Sequence, residues 1–350
     1  MMAVPVPDFY TASVAEQSHR LRDMACRAAV LWPGRWQVER LLKYRENAVF
    51  ALSSATDGRV VLRIHRPGYH QVAALKSELV WMQALSEAGF CVPVLRTGHD
   101  GGVLQVVEAP GIPEPRFVDM QDHMPGVPVS EVTDIRTLEK IYVDIGRQLA
   151  AMHAHSMRWV APEGFHRPSW DSDGLIGQSP LWGDFRQLPA LSGNDARRVA
   201  EAVAQAERDL REFGDGRDRF GMIHADGIAD NILYDPHAGP RLIDFDDCGH
   251  GWFLFDLATC LFFHEDHPGY PVISESFLGS YAQAGKLDAS MRRAMPLFMF
   301  LRALTYLGWV HTRAETGTAR EMTSFFVERA ARLADSYLKG RPTSFGAGIS

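Results

Sequence analysis

The sequence predicts an α+β fold with two lobes, an N-terminal antiparallel sheet that carries one helix and a C-terminal lobe that is mainly helical. Short β-like runs separated by turn residues dominate residues 35–125, whereas amphipathic helical patterns dominate the chain beyond Gly126. A length of 350 residues also exceeds that of one average domain. We therefore predict an N-terminal helical extension at residues 1–34, an N-lobe at 35–125 and a C-lobe at 126–350.

The N-lobe is predicted from β-like runs and one inserted helix. A helical pattern at residues 13–31 ends before the Pro33-Gly34 break. The β-like runs follow at residues 36–42, 48–52, 59–65, 102–107 and 116–120. Apolar residues spaced three and four apart predict the inserted helix, from the Arg66-Pro67-Gly68 turn to Ala88. Glu78 lies on the apolar face of this helix, so we expect it to have a buried partner.

The C-lobe begins with a long amphipathic helix from Ile135 to Met152, and His153 and His155 at its end are interpreted as C-terminal caps. Residues 157–193 show little periodicity, which is typical of a functional or mobile loop. Helical patterns return at residues 195–213, 252–264, 274–284, 290–312 and 319–339. The apolar stretch from Met295 to Val310 contains Arg302 and is too short for a membrane span, so it predicts a buried helix.

Composition excludes some classes of partner. A formal net charge of −7 argues against a large phosphate-binding surface, so no nucleic-acid partner is expected. The four cysteines are widely spaced and form no C-x-x-C pair, and the N-terminus shows no signal-peptide pattern. We therefore expect a cytoplasmic protein with no membrane partner, whose oligomeric state the sequence leaves open.

The segment from Met222 to Asp247 contains a cluster of acidic and amide side chains. Two predicted strands, at residues 232–234 and 241–243, would carry Asp226 and Asn231 at one end and Asp244 beside them. Phosphoryl transfer uses such a set, because one carboxylate accepts a hydroxyl proton while amide and carboxylate oxygens hold Mg²⁺. The alternative is an acidic turn in which these short side chains only cap backbone groups.

The spacing of this segment resembles the kinase catalytic loop H-x-D-x-x-x-x-N, followed by a hairpin and a hydrophobic-Asp-hydrophobic element. His224-Ala225-Asp226, Ile243-Asp244-Phe245-Asp246 and Phe255-Asp256-Leu257-Ala258 together resemble the aminoglycoside phosphotransferase/choline kinase superfamily, over residues 35–340. The resemblance implies a protein-kinase-like fold and an ATP-dependent phosphotransferase that acts on a small-molecule hydroxyl acceptor.

The resemblance also implies roles for single residues. Asp226 corresponds to the catalytic base, His224 and Asp256 to supports of the catalytic loop, and Asn231 and Asp244 to Mg²⁺ ligands. Asp230 is a rival for the base, but it adjoins Asn231 instead of preceding it by five residues, and we interpret it as a loop residue.

In the N-lobe the resemblance implies a nucleotide site. Arg63 would bind the ATP phosphates and be held by Glu78, while Asn47 belongs to the matching Glu46–Phe50 motif. Asp122 to Met124 resemble the interlobe hinge whose backbone meets adenine. Two departures are evident: arginine replaces the usual lysine, and the loop before Ala48 lacks the glycines that cradle phosphates.

Three hypotheses about function follow. Short motifs, Arg66-Pro67-Gly68 and Arg302-Ala303-Leu304 among them, resemble the branch of bacterial stress-response Ser/Thr kinases and type II homoserine kinases. The first hypothesis is a kinase of small alcohols that carry an amine, the second is a Ser/Thr protein kinase, and the third is an inactive nucleotide-binding regulator.

A cationic acceptor is suggested by charge near the proposed site. Acidic residues that follow the metal ligand or end the next helix would attract it, and nearby rings would face its ammonium group. The residues are Asp246, Asp247, Glu265 and Asp266, with Trp252, Phe253, Tyr270 and Trp309 as the rings. The alternative is that the first two aspartates only bond the loop and that the acidic helix end is solvated.

Overall fold

The structure, a computed structural model, describes residues 8–285 and 287–340. The chain divides into two compact units, one comprising residues up to Pro125 with Glu163–His166, the other comprising Gly126–Pro162 and the chain from Arg167 onward. The predicted fold class is confirmed, because the first unit is built on an antiparallel sheet and the second is mainly helical. Residues 1–7, part of the segment in which no signal peptide is predicted, and residues 341–350 of the predicted C-lobe lie outside the described residues.

The first unit contains a five-stranded antiparallel sheet with strand order β1-β2-β3-β5-β4. Its elements are α1 (Val14–Ala29), β1 (Gln37–Tyr44), β2 (Ala48–Ser54), β3 (Gly58–Ile64), α2 (Val72–Glu87), β4 (Leu104–Val107) and β5 (Arg116–Asp122). The tight turn between β2 and β3 uses Gly58 at φ +83°, a conformation that glycine adopts without steric cost.

The helix predicted as an N-terminal extension shares the hydrophobic core of the sheet. Leu21 and Met24 of α1 are buried in one cluster with Phe50 of β2 and Leu62 of β3. Ser13 begins the helix, since its hydroxyl accepts a hydrogen bond from the Glu16 amide at 3.2 Å. Helix α1 is therefore part of the structure that holds β2 and β3 in place.

The second unit contains seven helices and two small sheets within the described residues. The helices are α3 (Ile135–Ser156), α4 (Ser172–Ile176), α5 (Gly193–Phe213), α6 (Phe253–Phe262), α7 (Tyr270–Ala284), α8 (Ala289–Thr312) and α9 (Gly317–Leu338). The strands are β6 (Val127–Pro128), β7 (Ser169–Trp170), β8 (Phe220–Ile223), β9 (Ile232–Asp235), β10 (Gly239–Leu242) and β11 (Gly249–Trp252). They form three-stranded sheets with orders β10-β9-β6 and β7-β11-β8.

Helix α6 is the most enclosed element of this unit, since all its residues are buried. It packs on α8, which packs on α9, while α3 packs on α7. The prediction of a buried helix around Arg302 is confirmed, because this residue of α8 has no exposed surface. None of the helices in the described ranges has the length and apolar content that a membrane span requires.

The segment predicted as a long loop, residues 157–193, contains more structure than its sequence indicates. It holds β7, α4 and a short 3₁₀ turn at Phe185–Gln187. Trp170 is buried, and its ring stacks on Phe255 with centroids 5.5 Å apart. Large aromatic side chains order this segment through tertiary packing. Because such packing needs no regular spacing along the chain, the sequence shows no helical or strand periodicity here.

Candidate active site

The loop from His224 to Asn231 connects the end of β8 to the start of β9. Its last three residues, Ala229–Asn231, form a 3₁₀ turn, and Asp230 in this turn is exposed. The Ile243 amide donates a hydrogen bond to the Asn231 carbonyl at 2.9 Å. The β9–β10 hairpin therefore returns the chain to the loop and places Asp244 one residue beyond this contact, as the sequence predicts.

Asp226 and Asn231 are joined through their side chains. The Asn231 amide nitrogen Nδ2 donates to Asp226 Oδ2 at 2.8 Å and to the Asp226 carbonyl at 2.9 Å. The Asp226 side chain keeps 16% exposure. Because the nitrogen of Asn231 is committed to Asp226, its oxygen Oδ1 is the amide atom suited to a cation.

His224 links the loop to the strand that precedes Asp244. Its Nδ1 accepts a hydrogen bond from the Asp226 amide at 3.3 Å, so the neutral ring carries its proton on Nε2. Nε2 then donates to the Ile243 carbonyl at 3.1 Å. His224 is buried and connects the two segments through these hydrogen bonds.

Asp256 of α6 fixes the backbone of the loop. Its carboxylate accepts the amides of His224 at 2.9 Å and Ala225 at 2.6 Å, and it contacts His153 Nε2 at 3.1 Å. Ala225 has φ +64°, a left-handed conformation that costs about 1–2 kcal/mol for an L-residue. Burial raises the pKa of Asp256, but the hydrogen bond and charge of His153 lower it by more, so the net pKa lies below its ordinary value.

The interpretation of His153 as a helix cap is wrong. Its side chain is buried, and its Nδ1 lies 2.9 Å from the Tyr281 hydroxyl on α7 while Nε2 faces Asp256. A buried carboxylate outweighs the weak dipole effect of a helix end, because burial makes an unpaired charge costly.

The loop after Asp244 is held by residues that the sequence did not single out. Arg167 Nε donates to the Cys248 carbonyl at 2.6 Å, and its Nη2 donates to the Asp246 carbonyl. The Trp170 indole donates to the Asp247 carbonyl at 2.9 Å. The high tryptophan content of residues 157–193 was the available signal, but nothing local in the sequence shows which loop these side chains contact.

In the first unit, the expected pair of Arg63 and Glu78 forms. Arg63 Nη2 lies 2.7 Å from Glu78 Oε1, and the Glu78 side chain is fully buried. The prediction of a partner for Glu78 is therefore confirmed. Burial of both partners keeps solvent from screening the pair.

Asp119 of β5 is a second carboxylate on Arg63, which sequence reasoning missed. Arg63 Nε donates to Asp119 Oδ1 at 3.1 Å and to Oδ2 at 3.0 Å, and His65 Nε2 lies 2.7 Å from Oδ2. Burial raises the pKa of Asp119, but Arg63 and His65 together hold it well below its usual range. Arg63 and Asp119 face each other in the β3–β5 register, which the sequence alone does not give.

The remaining predicted residues lie in loops and at a strand end. Asn47 accepts the Arg66 amide on its side-chain oxygen at 3.2 Å, a contact that supports the loop before β2. Asp122 ends β5, pairs with Arg96, and donates its amide to the Val94 carbonyl at 2.8 Å. Met124 follows in the connection to β6.

A magnesium ion fits the residues of the second unit. Asn231 Oδ1 and the half-buried Asp244 carboxylate are hard oxygen donors on neighbouring backbone segments, which the Ile243–Asn231 hydrogen bond joins. Mg²⁺ is usually bound by one or two carboxylates together with phosphates and water. Within the described residues no group of three or more His, Cys, Asp or Glu side chains could hold a metal. The Mg²⁺ ligands proposed here are therefore two side chains, which the nucleotide phosphates and water would complete.

Most of the acidic and aromatic side chains expected to face a cationic acceptor are paired or buried in the structure. Glu265 and Asp266 pair with Arg329 and Arg332, so the acidic helix end is neutralised, and the expectation that it supplies an attractive field is wrong. Three of the four proposed rings are buried and the fourth faces Arg313. These rings are Trp252, Phe253, Tyr270 and Trp309.

Comparison with known proteins identifies the family. The sequence pattern of the phosphotransferase enzyme family matches residues 37–297. This chain belongs to that family. An amicoumacin kinase of Bacillus subtilis (strain 168) is 23% identical over 257 residues, which cover 71% of this chain and 72% of that protein. A homoserine kinase of Mesorhizobium japonicum is 25% identical over 289 residues, covering 78% and 81% of the two chains.

Solved structures agree with this assignment. The microcompartment-associated aminopropanol kinase is 30% identical and superposes with a TM-score of 0.81 over 92% of this chain and 99% of that chain. The amicoumacin kinase hAmiN, solved with AMP-PNP, Ca²⁺ and Ami, has a TM-score of 0.72 at 20% identity over 91% and 96%, a likeness that shows the fold. The predicted family resemblance is confirmed, and the chain is a small-molecule kinase of the phosphotransferase enzyme family.

Proposed function

We propose that this protein transfers the γ-phosphate of MgATP to the hydroxyl group of a small acceptor that also carries an amine. The observation that carries the proposal is the joined set of Asp226 and Asn231, with Asp244 brought beside them by the β9–β10 hairpin. The amine is supported by two similar proteins, an aminopropanol kinase and a homoserine kinase, whose named substrates both carry a hydroxyl group and an amine.

In the proposed reaction, Asp226 acts as the base. The acceptor oxygen forms a bond to the γ-phosphorus while the bond from that phosphorus to the bridging oxygen of ADP breaks, and ADP leaves with the electron pair. The proton of the acceptor hydroxyl passes to the Asp226 carboxylate. Asn231 Oδ1 and Asp244 would hold Mg²⁺, which neutralises phosphate charge when bound.

The first unit would contribute nucleotide contacts. We assign a phosphate contact to Arg63, oriented by Glu78 and Asp119, and an adenine contact to the amide of Met124. The amides of Asp122 and His123 already donate to the carbonyls of Val94 and Arg59. Asn47 acts on this site through the loop that it supports.

Conservative changes should test the Arg63 assignment. Removing Arg63 outright would leave the buried Glu78 carboxylate without its arginine and Asp119 with only His65 as a charged partner. Breaking a buried ion pair costs about 3–5 kcal/mol, a loss that would obscure any effect on nucleotide binding. We therefore expect Arg63→Lys and Glu78→Gln each to raise the KM for ATP. In free-energy terms, the increase in KM for the double variant should be smaller than the sum of the two single increases, because both changes disturb the same ion pair.

Steady-state kinetics and thermal melts of the single and double variants provide the measurement. Arg116→Lys changes another buried arginine of the same sheet, which pairs with Glu114, so it is the matched control and should leave KM unchanged. Strictly additive effects of Arg63→Lys and Glu78→Gln would show that the two residues do not act together on ATP.

An acceptor screen tests the proposed function directly. Labelled ATP and Mg²⁺ are incubated with aminopropanol, homoserine, aminoglycosides, neutral sugars and a model protein. Amino alcohols should react best, and each should exceed its uncharged counterpart, such as propanediol for aminopropanol.

The screen also separates the alternatives. Preferred labelling of the protein would support the Ser/Thr protein kinase hypothesis, and nucleotide binding without any transfer would support the inactive regulator. A neutral sugar as the best acceptor would contradict an amine-bearing substrate.

A further inference from the structure

Arg302 is a fully buried arginine in the middle of α8. Its neighbours along the helix, Leu301 and Ala303, are buried apolar residues. A buried guanidinium loses its hydration and is retained only where charged and polar partners replace water. The partners of Arg302 therefore indicate why a charge occupies this position.

The guanidinium of Arg302 bonds the catalytic loop at two points. Nη2 donates to Asp226 Oδ1 at 2.8 Å, and Nη1 donates to the Ala225 carbonyl at 3.1 Å. Nη2 also donates to the hydroxyl of Tyr306, one turn further along α8, at 2.9 Å. Two of these three contacts are thus made with the proposed base and the residue before it.

Aromatic rings enclose the same guanidinium. Its central carbon lies 4.8 Å from the ring centroid of Trp182, 4.6 Å from that of Tyr306 and 5.6 Å from that of Phe255. Such contacts stabilise a guanidinium most at desolvated sites. Trp182 is itself held by Thr312, whose hydroxyl donates to the Trp182 carbonyl at 3.0 Å. The rings restrict where the guanidinium can move.

The contacts divide the Asp226 carboxylate between two donors. Oδ1 accepts from Arg302, whereas Oδ2 accepts from Asn231. Ala225, in its left-handed conformation, is held on both sides, since its amide donates to Asp256 and its carbonyl accepts from Arg302. Removing Arg302 would release one oxygen of Asp226 and one side of the strained peptide together.

We propose that Arg302 is a positioning residue that fixes the Asp226 carboxylate for phosphoryl transfer. This inference rests on the proposed function, because it takes Asp226 as the base that receives the hydroxyl proton. Arg302 acts through Asp226 and Ala225, and the rings of Trp182, Tyr306 and Phe255 keep its fork in one orientation. A small misplacement of a reacting group costs about 10²-fold in rate, so the expected effect is on kcat.

The test compares Arg302→Met and Arg302→Lys with aminopropanol and MgATP as substrates. Arg302→Met should lower kcat by about 10²-fold with little change in the KM for ATP. Arg302→Lys keeps the charge but loses the planar fork, so its kcat should lie between those of the wild type and Arg302→Met. In an Asp226→Ala background, Arg302→Met should cause no further loss of kcat, because the group that it positions is gone.

Arg329 offers a matched control on α9. It is also buried, lies over the rings of Phe262 and Phe325 at 5.0 and 4.3 Å, and pairs with Asp266. Arg329→Met should lower the melting temperature, as loss of a buried ion-paired arginine does, but leave kcat per folded molecule unchanged. A comparison of the two methionine variants at equal folded fraction separates positioning from stability.

The outcomes distinguish this inference from the proposed function. If Arg302→Met lowers kcat equally with and without Asp226, or if the folded variants turn over at the wild-type rate, the positioning role is wrong. Should Arg302→Met fail to fold, the same comparison is made with Arg302→Lys. Wild-type turnover by Asp226→Ala would instead overturn the assignment of Asp226 as the base.

Discussion

Asp226→Asn is expected to lower kcat by about 10²–10⁴-fold, the usual contribution of a positioned general base. The variant keeps the size of the side chain but cannot take up the hydroxyl proton. Asp226 is not among the residues that we propose to hold the nucleotide or the metal, so the Kd for MgATP should stay near its wild-type value. Steady-state kinetics with the best acceptor of the screen and calorimetric titration with MgATP measure the two quantities.

The contact with Asn231 makes a second variant necessary. In Asp226→Asn, one of the two donors on the wild-type carboxylate, Arg302 or Asn231, would face the new amide nitrogen. Rotation of the Asn231 amide would relieve this contact but turn its oxygen away from the metal position. Asp226→Ala lacks the contact, so a higher Mg²⁺ requirement in Asp226→Asn alone would report the rotation.

Asp230→Asn is the control for the same loop. Asp230 is exposed and adjoins Asn231 instead of preceding it by five residues, so its amide variant should retain wild-type kcat. A large loss in Asp230→Asn together with normal turnover in Asp226→Asn would reverse the assignment of the base.

The parts of the site that the sequence predicts are those with local spacing. His224, Asp226 and Asn231 lie within eight residues, and one short hairpin returns the chain to Asp244, so spacing alone was enough to bring them together. The β-like runs and amphipathic helices were predictable for the same reason, since their periods are set by neighbouring residues.

The parts that the sequence did not predict depend on tertiary contacts. Asp119 meets Arg63 across a strand pair separated by 56 residues, and Arg302 meets Asp226 over 76 residues. No local period or turn rule encodes such pairs. Burial decides them, because a charge inside the protein must find a partner wherever the fold supplies one.

The expectation of an attractive acidic field at the helix end failed for this reason. The Asp266 side chain is 58% exposed, but Arg329 and Arg332 of α9 pair with it and with the Glu265 side chain, which is 6% exposed. His264 in the same segment is buried and contacts the Tyr142 hydroxyl. Charge counted along the chain therefore overstates the field that an acceptor would meet.

Asp256→Asn is expected to destabilise the protein and to lower its activity. The Asp256 carboxylate accepts the amides of His224 and Ala225 and contacts His153 in a site with almost no solvent exposure. The asparagine variant has one acceptor oxygen in place of two, so at least one buried donor loses its partner, at a cost of about 1–3 kcal/mol. Release of Ala225 from its strained conformation should also displace Asp226 and reduce kcat.

The effect on stability should depend on pH. The pKa of Asp256 is raised by burial but lowered more by His153 and His224, so it lies below its ordinary value of 3.8 in the folded protein. A lowered folded-state pKa adds stability that is present above the unfolded pKa and is lost as pH falls through the folded pKa. The free energy of unfolding of the wild type should therefore exceed that of Asp256→Asn at neutral pH, and the difference should narrow below about pH 4.

Urea denaturation of both proteins between pH 3 and pH 7 measures this difference. Thr259→Val is the control, because Thr259 is equally buried on α6 and its hydroxyl has no hydrogen-bond partner within residues 8–285 and 287–340. Its effect should be small and independent of pH, since no titrating group is removed. If the difference in the free energy of unfolding between the wild type and Asp256→Asn stays constant over this range, the Asp256 carboxylate does not stabilise the loop through its charge.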